Sequence, residues 1–226
     1  MGYLRQVLTI CGKDLRSEFR TKEALNASLA FALVILLLFS FAFDPSSEQI
    51  NEISGGLIWM AFAFAGALIL NRSFARELFN DCLDALIYSP VPGSALFLGK
   101  ALASYVLLLI VELVSFPIFG LFYNVQWARK FGWLLFVLLL ASWGLTVVGT
   151  MFSALTVNLR LRELMLPMLL YPMMIPALMS AMQLTTVLIA GQDITGDNWI
   201  WVRLLIGFDI IFTALAVAFV ETVLVG

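Results

Sequence analysis

Six runs of apolar residues, each close to the length of a bilayer crossing, alternate along the chain with short polar stretches. A hydrocarbon core of about 30 Å takes about 20 apolar residues in helical form. Windows of that kind fall at 24–43, 54–70, 99–122, 131–156, 164–190 and 202–224, the second rather short. Ahead of them, Leu4, Val7, Leu8, Cys11, Leu15 and Phe19 form an apolar arc at helical spacing, opposed by Arg5, Lys13, Arg16 and Arg20. The first 23 residues therefore read as an interfacial helix on a membrane surface. The apolar run behind them is too long for a secretion signal and lacks a small-residue cleavage site, so it is expected to stay as a span. Asp14 and Glu18 interrupt the arc one turn apart. They are expected to pair with Lys22 or with lipid amines, or to meet a partner protein.

The segment 72–98 breaks the alternation. Wound as a helix, Phe74, Leu78, Phe79, Cys82, Leu83 and Leu86 share one side, while Glu77, Asn80, Asp81 and Asp84 gather on the other. That pattern lies on a boundary and does not cross it. Ser89-Pro90-Val91-Pro92-Gly93 then stops the helix, and Lys100 reads as the point of re-entry into lipid. A charged loop of this kind either floats on headgroups or docks a partner; its length, double-proline stop and acidic face favour docking.

Composition sharpens the class. The residues are 62% hydrophobic and 12% charged, with a mean hydropathy of +1.00, more apolar surface than a soluble domain of 226 residues can bury. The fold predicted is all-α and membrane-spanning, one transmembrane domain with no basic patch suggesting nucleic acid. Basic residues give it an orientation, because cytoplasmic loops retain them. Arg5, Lys13, Arg16, Arg20, Lys22, Arg72, Arg76, Lys100, Arg160 and Arg162 fall on one side if both termini are cytoplasmic. Arg129, Lys130 and Arg203 fall on the other, with Arg129-Lys130 the discordant point. Cys11 and Cys82 then face a reducing compartment, and no disulfide is expected. There is no histidine, the commonest ligand for haem iron and zinc and the commonest general base. No catalytic residue and no metal site is predicted.

Several constellations carry candidate chemistry. Gly93 to Lys100 imitates a phosphate-binding loop but has five residues between its glycines where four are needed, and Ala101 stands where Ser or Thr would hold magnesium. Nucleotide hydrolysis is thus assigned to another chain. The second basic loop, with Arg160, Arg162 and Glu163, is a topological anchor or a partner contact. Pro167, Pro172 and Pro176 each remove a backbone donor from the fifth span, which makes it a line of flexure, a pathway wall, or a bent packing element. Glu112 and Asp209, read as isolated acids deep in apolar sequence, are candidates for a pathway or for structural polar contacts. Met165, Met168, Met173, Met174, Met179 and Met182 are expected to line a helix interface, with haem ligation the lesser reading. Gly149-x-x-x-Ser153 permits close helix packing. Trp199 and Trp201 suit the headgroup boundary.

Residues 56–91, GLIWMAFAFAGALILNRSFARELFNDCLDALIYSPV, followed by LFLGK at Leu96 to Lys100, closely resemble the CcmB family of permease subunits of the haem-exporter ABC transporter of cytochrome c maturation. Residues 155–178, LTVNLRLRELMLPMLLYPMMIPAL, match the family's other distinctive stretch, and length and span number agree across the chain. The first block also resembles the wider ABC-2-type exporter class. There the segment carrying Arg72, Arg76, Glu77, Asp81, Leu83, Asp84, Leu86, Ser89 and Pro90 is the coupling helix on the ATPase.

The resemblance implies a bacterial inner-membrane protein, a homodimer bound to two copies of a cytoplasmic ATPase that holds the ATP. It implies association with a membrane haem-handling subunit and a small single-span protein, serving a periplasmic haem chaperone. Haem is then candidate substrate and not a resident cofactor. A lipid or polysaccharide exporter permease is the alternative within the architecture. An intramembrane transferase would want a His-Asp cluster or paired aspartates, and a passive scaffold would show no ATP dependence.

Overall fold

The computed structural model describes residues 2–43, 48–75, 91–125, 127–157, 159 and 161–225. Among these the chain is helical with no strands, in the order α1 (Tyr3–Thr21), α2 (Glu23–Ala42), α3 (Glu48–Asn71), α4 (Gly93–Phe122), α5 (Phe131–Thr156), α6 (Arg162–Ile189) and α7 (Trp199–Val225). Short 3-10 turns at Trp127–Lys130 and Gly196–Asn198 lead into α5 and α7. Six of the helices, α2 to α7, are long and apolar enough to cross a membrane.

Two spans begin six residues before their apolar windows. α3 extends through the polar turn at Glu48, which a hydropathy window discards. α4 starts at Gly93, so 93–98 belong to the span and not to the charged segment before it. Pro92 supplies the start: its extended backbone suits a cap, and its carbonyl accepts the Ala95 N–H at 2.9 Å and the Leu96 N–H at 3.2 Å.

α3 lies at the centre, packed against α2, α4, α5 and α6, and its Ile58, Trp59, Ala61, Phe62 and Ala65 have no exposed surface. Lipid is as apolar as the helices, so close approach and hydrogen bonds must hold such a bundle. Both are present. A Cβ on Gly55 would lie 2.2 Å from the Met182 carbonyl oxygen, and one turn on the Trp59 indole N–H donates to Thr185 Oγ1 at 2.8 Å. Gly149 lies against Leu70 of α3, and the Ser153 hydroxyl donates to the Leu70 carbonyl at 2.8 Å. The small-residue motif of the fourth span therefore works within the chain. The Tyr123 hydroxyl ties the end of α4 to α2 through the Leu36 carbonyl at 2.7 Å.

α6 is helical straight through its three prolines. Pro172 and Pro176 lie on its exposed face and Pro167 is half-buried, while the Ser180 hydroxyl donates to the Pro176 carbonyl at 2.8 Å. The methionines divide by face, contrary to the expectation that all line an interface. Met174 is fully buried and Met182 half-buried, whereas Met165, Met168, Met173 and Met179 are exposed. The periodicity of α6 turns those four away from the bundle.

Candidate functional site

Sequence reasoning put the candidate machinery on two loops, and the bundle brings their described residues to one end. α3 ends at Asn71, and Arg72 to Phe74 form a turn in which the Arg72 and Ser73 N–H groups reach back to the Ile69 and Leu70 carbonyls at 3.1 Å each. Arg72 therefore belongs to a helix-ending turn and not to a surface helix. It reaches α2, its guanidinium 2.6 Å from Glu23 Oε2. Arg76, Glu77, Asp81, Leu83, Asp84, Leu86, Ser89 and Pro90, with Cys82, lie outside the described residues, as does Arg160 of the second loop.

Between α2, the end of α3 and the start of α6 opens a cleft of about 660 Å³, bordered by Glu23, Arg72, Arg162, Glu163, Pro167 and Tyr171. Phe64 forms its aromatic wall, edge-on to Tyr171 at 5.3 Å and tilted against Phe31 at 6.0 Å. Arg72 from the first loop and Arg162 and Glu163 from the second thus border one cavity, although some ninety residues separate them. A proline of the candidate flexure line sits in its wall.

The surroundings of the interfacial helix differ from expectation. α1 packs along α4, with Val7 and Cys11 buried between them while Tyr3, Leu4, Leu8 and Phe19 stay exposed. Asp14 and Glu18 turn out to hold the fold together. Asp14 lies 3.1 Å from both Lys13 Nζ and Lys100 Nζ, and Glu18 Oε1 accepts the Leu25 N–H at 2.9 Å, satisfying a first-turn donor of α2. Burial, with the Asp14 carboxylate second, pushes the Cys11 thiol above its ordinary range. Lys100, the point of re-entry read from sequence, has no exposed surface.

Deeper in the bundle the two intramembrane acids differ: Glu112 has a hydrogen-bond donor, and neither buried oxygen of Asp209 has one among the described residues. The Ser142 hydroxyl of α5 donates to the Glu112 carboxylate, 2.6 Å from either oxygen. Two residues along α5, Gly144 makes room for Asp209 of α7, whose Oδ1 would lie 2.6 Å from a Cβ there. The Tyr105 hydroxyl of α4 donates to the Leu139 carbonyl of α5 at 3.0 Å. Glu112 thus meets α5 at Ser142, and Asp209 meets it at Gly144. Nothing in their sequence spacing marks this; the small residues Ser142 and Gly144 were the available signal.

At the opposite end, Lys130 pairs with Asp193 of the α6–α7 connection. This gives one member of the discordant Arg129-Lys130 pair a local counter-charge. Trp133 and Trp199 meet edge to face at 6.2 Å beside it.

Six apolar spans, a helix laid along them and charged loops converging at one end define a polytopic α-helical membrane protein. The family model described as CcmB protein matches residues 5–224, and the chain belongs to the CcmB family. Among its relatives is the Heme exporter protein B of Rhodobacter capsulatus, 32% identical over 175 residues, covering 77% of this chain and 80% of that one. That of Paracoccus denitrificans is 30% identical over 181 residues, 80% and 83% of the two chains. That of Pseudomonas aeruginosa is 28% identical over 209 residues and covers 92% and 93%.

Proposed function

We propose that this chain is the permease subunit of an ABC transporter serving haem export and delivery in c-type cytochrome biogenesis. The observation that carries the reading is the family match over residues 5–224, with relatives named Heme exporter protein B. In this reading the protein sits in the bacterial inner membrane with both termini cytoplasmic, as a homodimer on two cytoplasmic ATPase subunits. A membrane haem-handling subunit, a small single-span subunit and a periplasmic haem chaperone complete the assembly. ATP is hydrolysed on the partner, and this chain converts the stroke into haem transfer or release of the loaded chaperone.

The convergence of Arg72, Arg162 and Glu163 on one cleft supports a single docking zone for a partner that engages both loops. Closure of the ATPases would press on the segment beginning at Arg72, tilt α3 and α4, and flex α6 at Pro167, Pro172 and Pro176. A two-state element biased from a remote site is the physical requirement. Glu112 and Asp209, both buried against α5, are placed by this proposal where the helices would slide.

Purification of the tagged chain in mild detergent tests the partners: an ATPase and a haem-handling membrane protein should co-elute. Deletion should lower c-type cytochromes and leave lipid-linked glycan export intact, and the reverse result would favour a lipid or polysaccharide exporter. Charge reversal at Glu77, Asp81 and Asp84 together should abolish ATPase recovery while insertion persists. If that variant still co-purifies the ATPase and still supports cytochrome c assembly, the docking surface is misassigned.

A further inference from the structure

A lysine side chain with no exposed surface is expensive inside a membrane protein unless every donor it carries is met. Lys100 lies two turns into α4, and two other elements close on its ammonium. Nζ is 2.7 Å from the Ser73 carbonyl oxygen, 3.1 Å from Asp14 Oδ2 of α1, and 4.9 Å from the centre of the Phe74 ring. The Ser73 carbonyl follows directly on the end of α3, where helical partners run out and the dipole favours a cation. Phe74 has no exposed surface and Ala75 is buried, so the turn is seated and does not merely touch.

The neighbouring residue shows that α1 is fitted to this arrangement. Gly99 faces α1, and a Cβ there would lie 2.7 Å from Ile10 Cβ and 3.0 Å from the Val7 carbonyl oxygen. The absence of a side chain lets α1 come near enough for Asp14 to reach Lys100. Glu18, one turn beyond Asp14, fixes the other end of α1 to the first turn of α2.

We propose that Lys100 is a positioning residue that fastens the Ser73–Phe74 turn to α1 and α4 together, so that α1 moves with the root of the coupling segment. The functional half of this rests on the coupling reading above, which names only α3, α4 and α6 as moving parts. The anchoring half rests on the contacts alone. A push delivered beyond Ala75 reaches α1 through this ammonium, and without it the turn and α1 are less tightly coupled.

The test uses the full assembly in lipid nanodiscs, with Cys11 and Cys82 replaced by serine and spin labels on exposed Arg16 of α1 and exposed Leu164 of α6, the labelled chain being diluted with unlabelled chain so that one protomer per assembly carries the pair. The parent should give one narrow distance distribution, Lys100→Arg should keep it, and Lys100→Met should broaden it. Asp14→Asn, which leaves the Ser73 contact in place, should broaden it less and serves if Lys100→Met fails to accumulate. In cells Lys100→Met should lower c-type cytochrome yield by about tenfold, the scale of an ordinary coupling free energy, while the co-purified ATPase keeps its turnover. An unchanged distribution in Lys100→Met and Asp14→Asn overturns the anchoring. A broadened distribution with full cytochrome yield overturns the functional half. Absence of any ATPase from the parent preparation overturns the coupling reading, and with it the functional half, while the distances still decide the anchoring.

Discussion

Replacing Gly55 by alanine should be among the more damaging single-methyl additions this chain can receive. The added Cβ would sit 2.2 Å from the Met182 carbonyl oxygen, 2.4 Å from Thr186 Oγ1 and 3.0 Å from the Thr186 nitrogen. A relaxed carbon–oxygen contact is about 3.3–3.6 Å, so α3 and α6 must part by about an ångström. Two of the three obstructing atoms are backbone and cannot rotate aside. Overpacking of this kind costs about 1–3 kcal/mol, and the backbone clash points to the upper half. Parting the helices also strains the Trp59–Thr185 hydrogen bond one turn away, worth about 1 kcal/mol, which the better helix propensity of alanine roughly offsets. The net expectation is a loss of about 2–3 kcal/mol. Gly56 is the internal control: nothing lies within 4 Å of its added Cβ, so alanine there should stabilise by about 0.5–1 kcal/mol through propensity alone. Reversible unfolding of the purified chain by SDS titration in mixed micelles, followed by tryptophan fluorescence, measures both. Equal stabilities for the two variants would refute the α3–α6 packing.

Ser142→Ala should cost about 1–3 kcal/mol in the same titration by stripping the buried Glu112 carboxyl of its donor, and Glu112→Met on that background should recover most of the loss. Cys11 should react with N-ethylmaleimide at pH 8 more slowly than an exposed thiol, because it is buried and its raised pKa leaves less thiolate at any given pH. Asp14→Asn should speed that reaction, and no change would remove Asp14 from its surroundings. Asp193→Asn at the opposite end breaks an exposed pair and should change stability by less than about 1 kcal/mol.

The span count and the amphipathic first helix are legible along the chain because each is a property of consecutive residues. Legibility fails where one side chain is explained by another far away in sequence. Lys100 reads as an interfacial anchor until Asp14 and the Ser73 carbonyl are beside it. Glu112 reads as isolated because its donor, Ser142, lies on another helix. The apolar window places the start of α4 at Gly99, six residues beyond Gly93, where the helix begins after Pro92. The meeting of Arg72 with Arg162 and Glu163 depends on α3 and α6 ending side by side, which spacing cannot reveal. Residues 76–90, which hold most of the docking surface inferred from sequence, lie outside the described residues.

The bond between Asp14 and Lys100 also has a consequence for how the chain enters its membrane. The two residues are 86 positions apart, and the helix carrying Asp14 is synthesised first, before α4 exists. When α4 is inserted, its lysine meets a waiting carboxylate and a waiting carbonyl and need not linger unpaired in hydrocarbon. Insertion order itself thus supplies a counter-charge at the moment it is needed. A chain permuted to make α1 last would have to insert Lys100 without it.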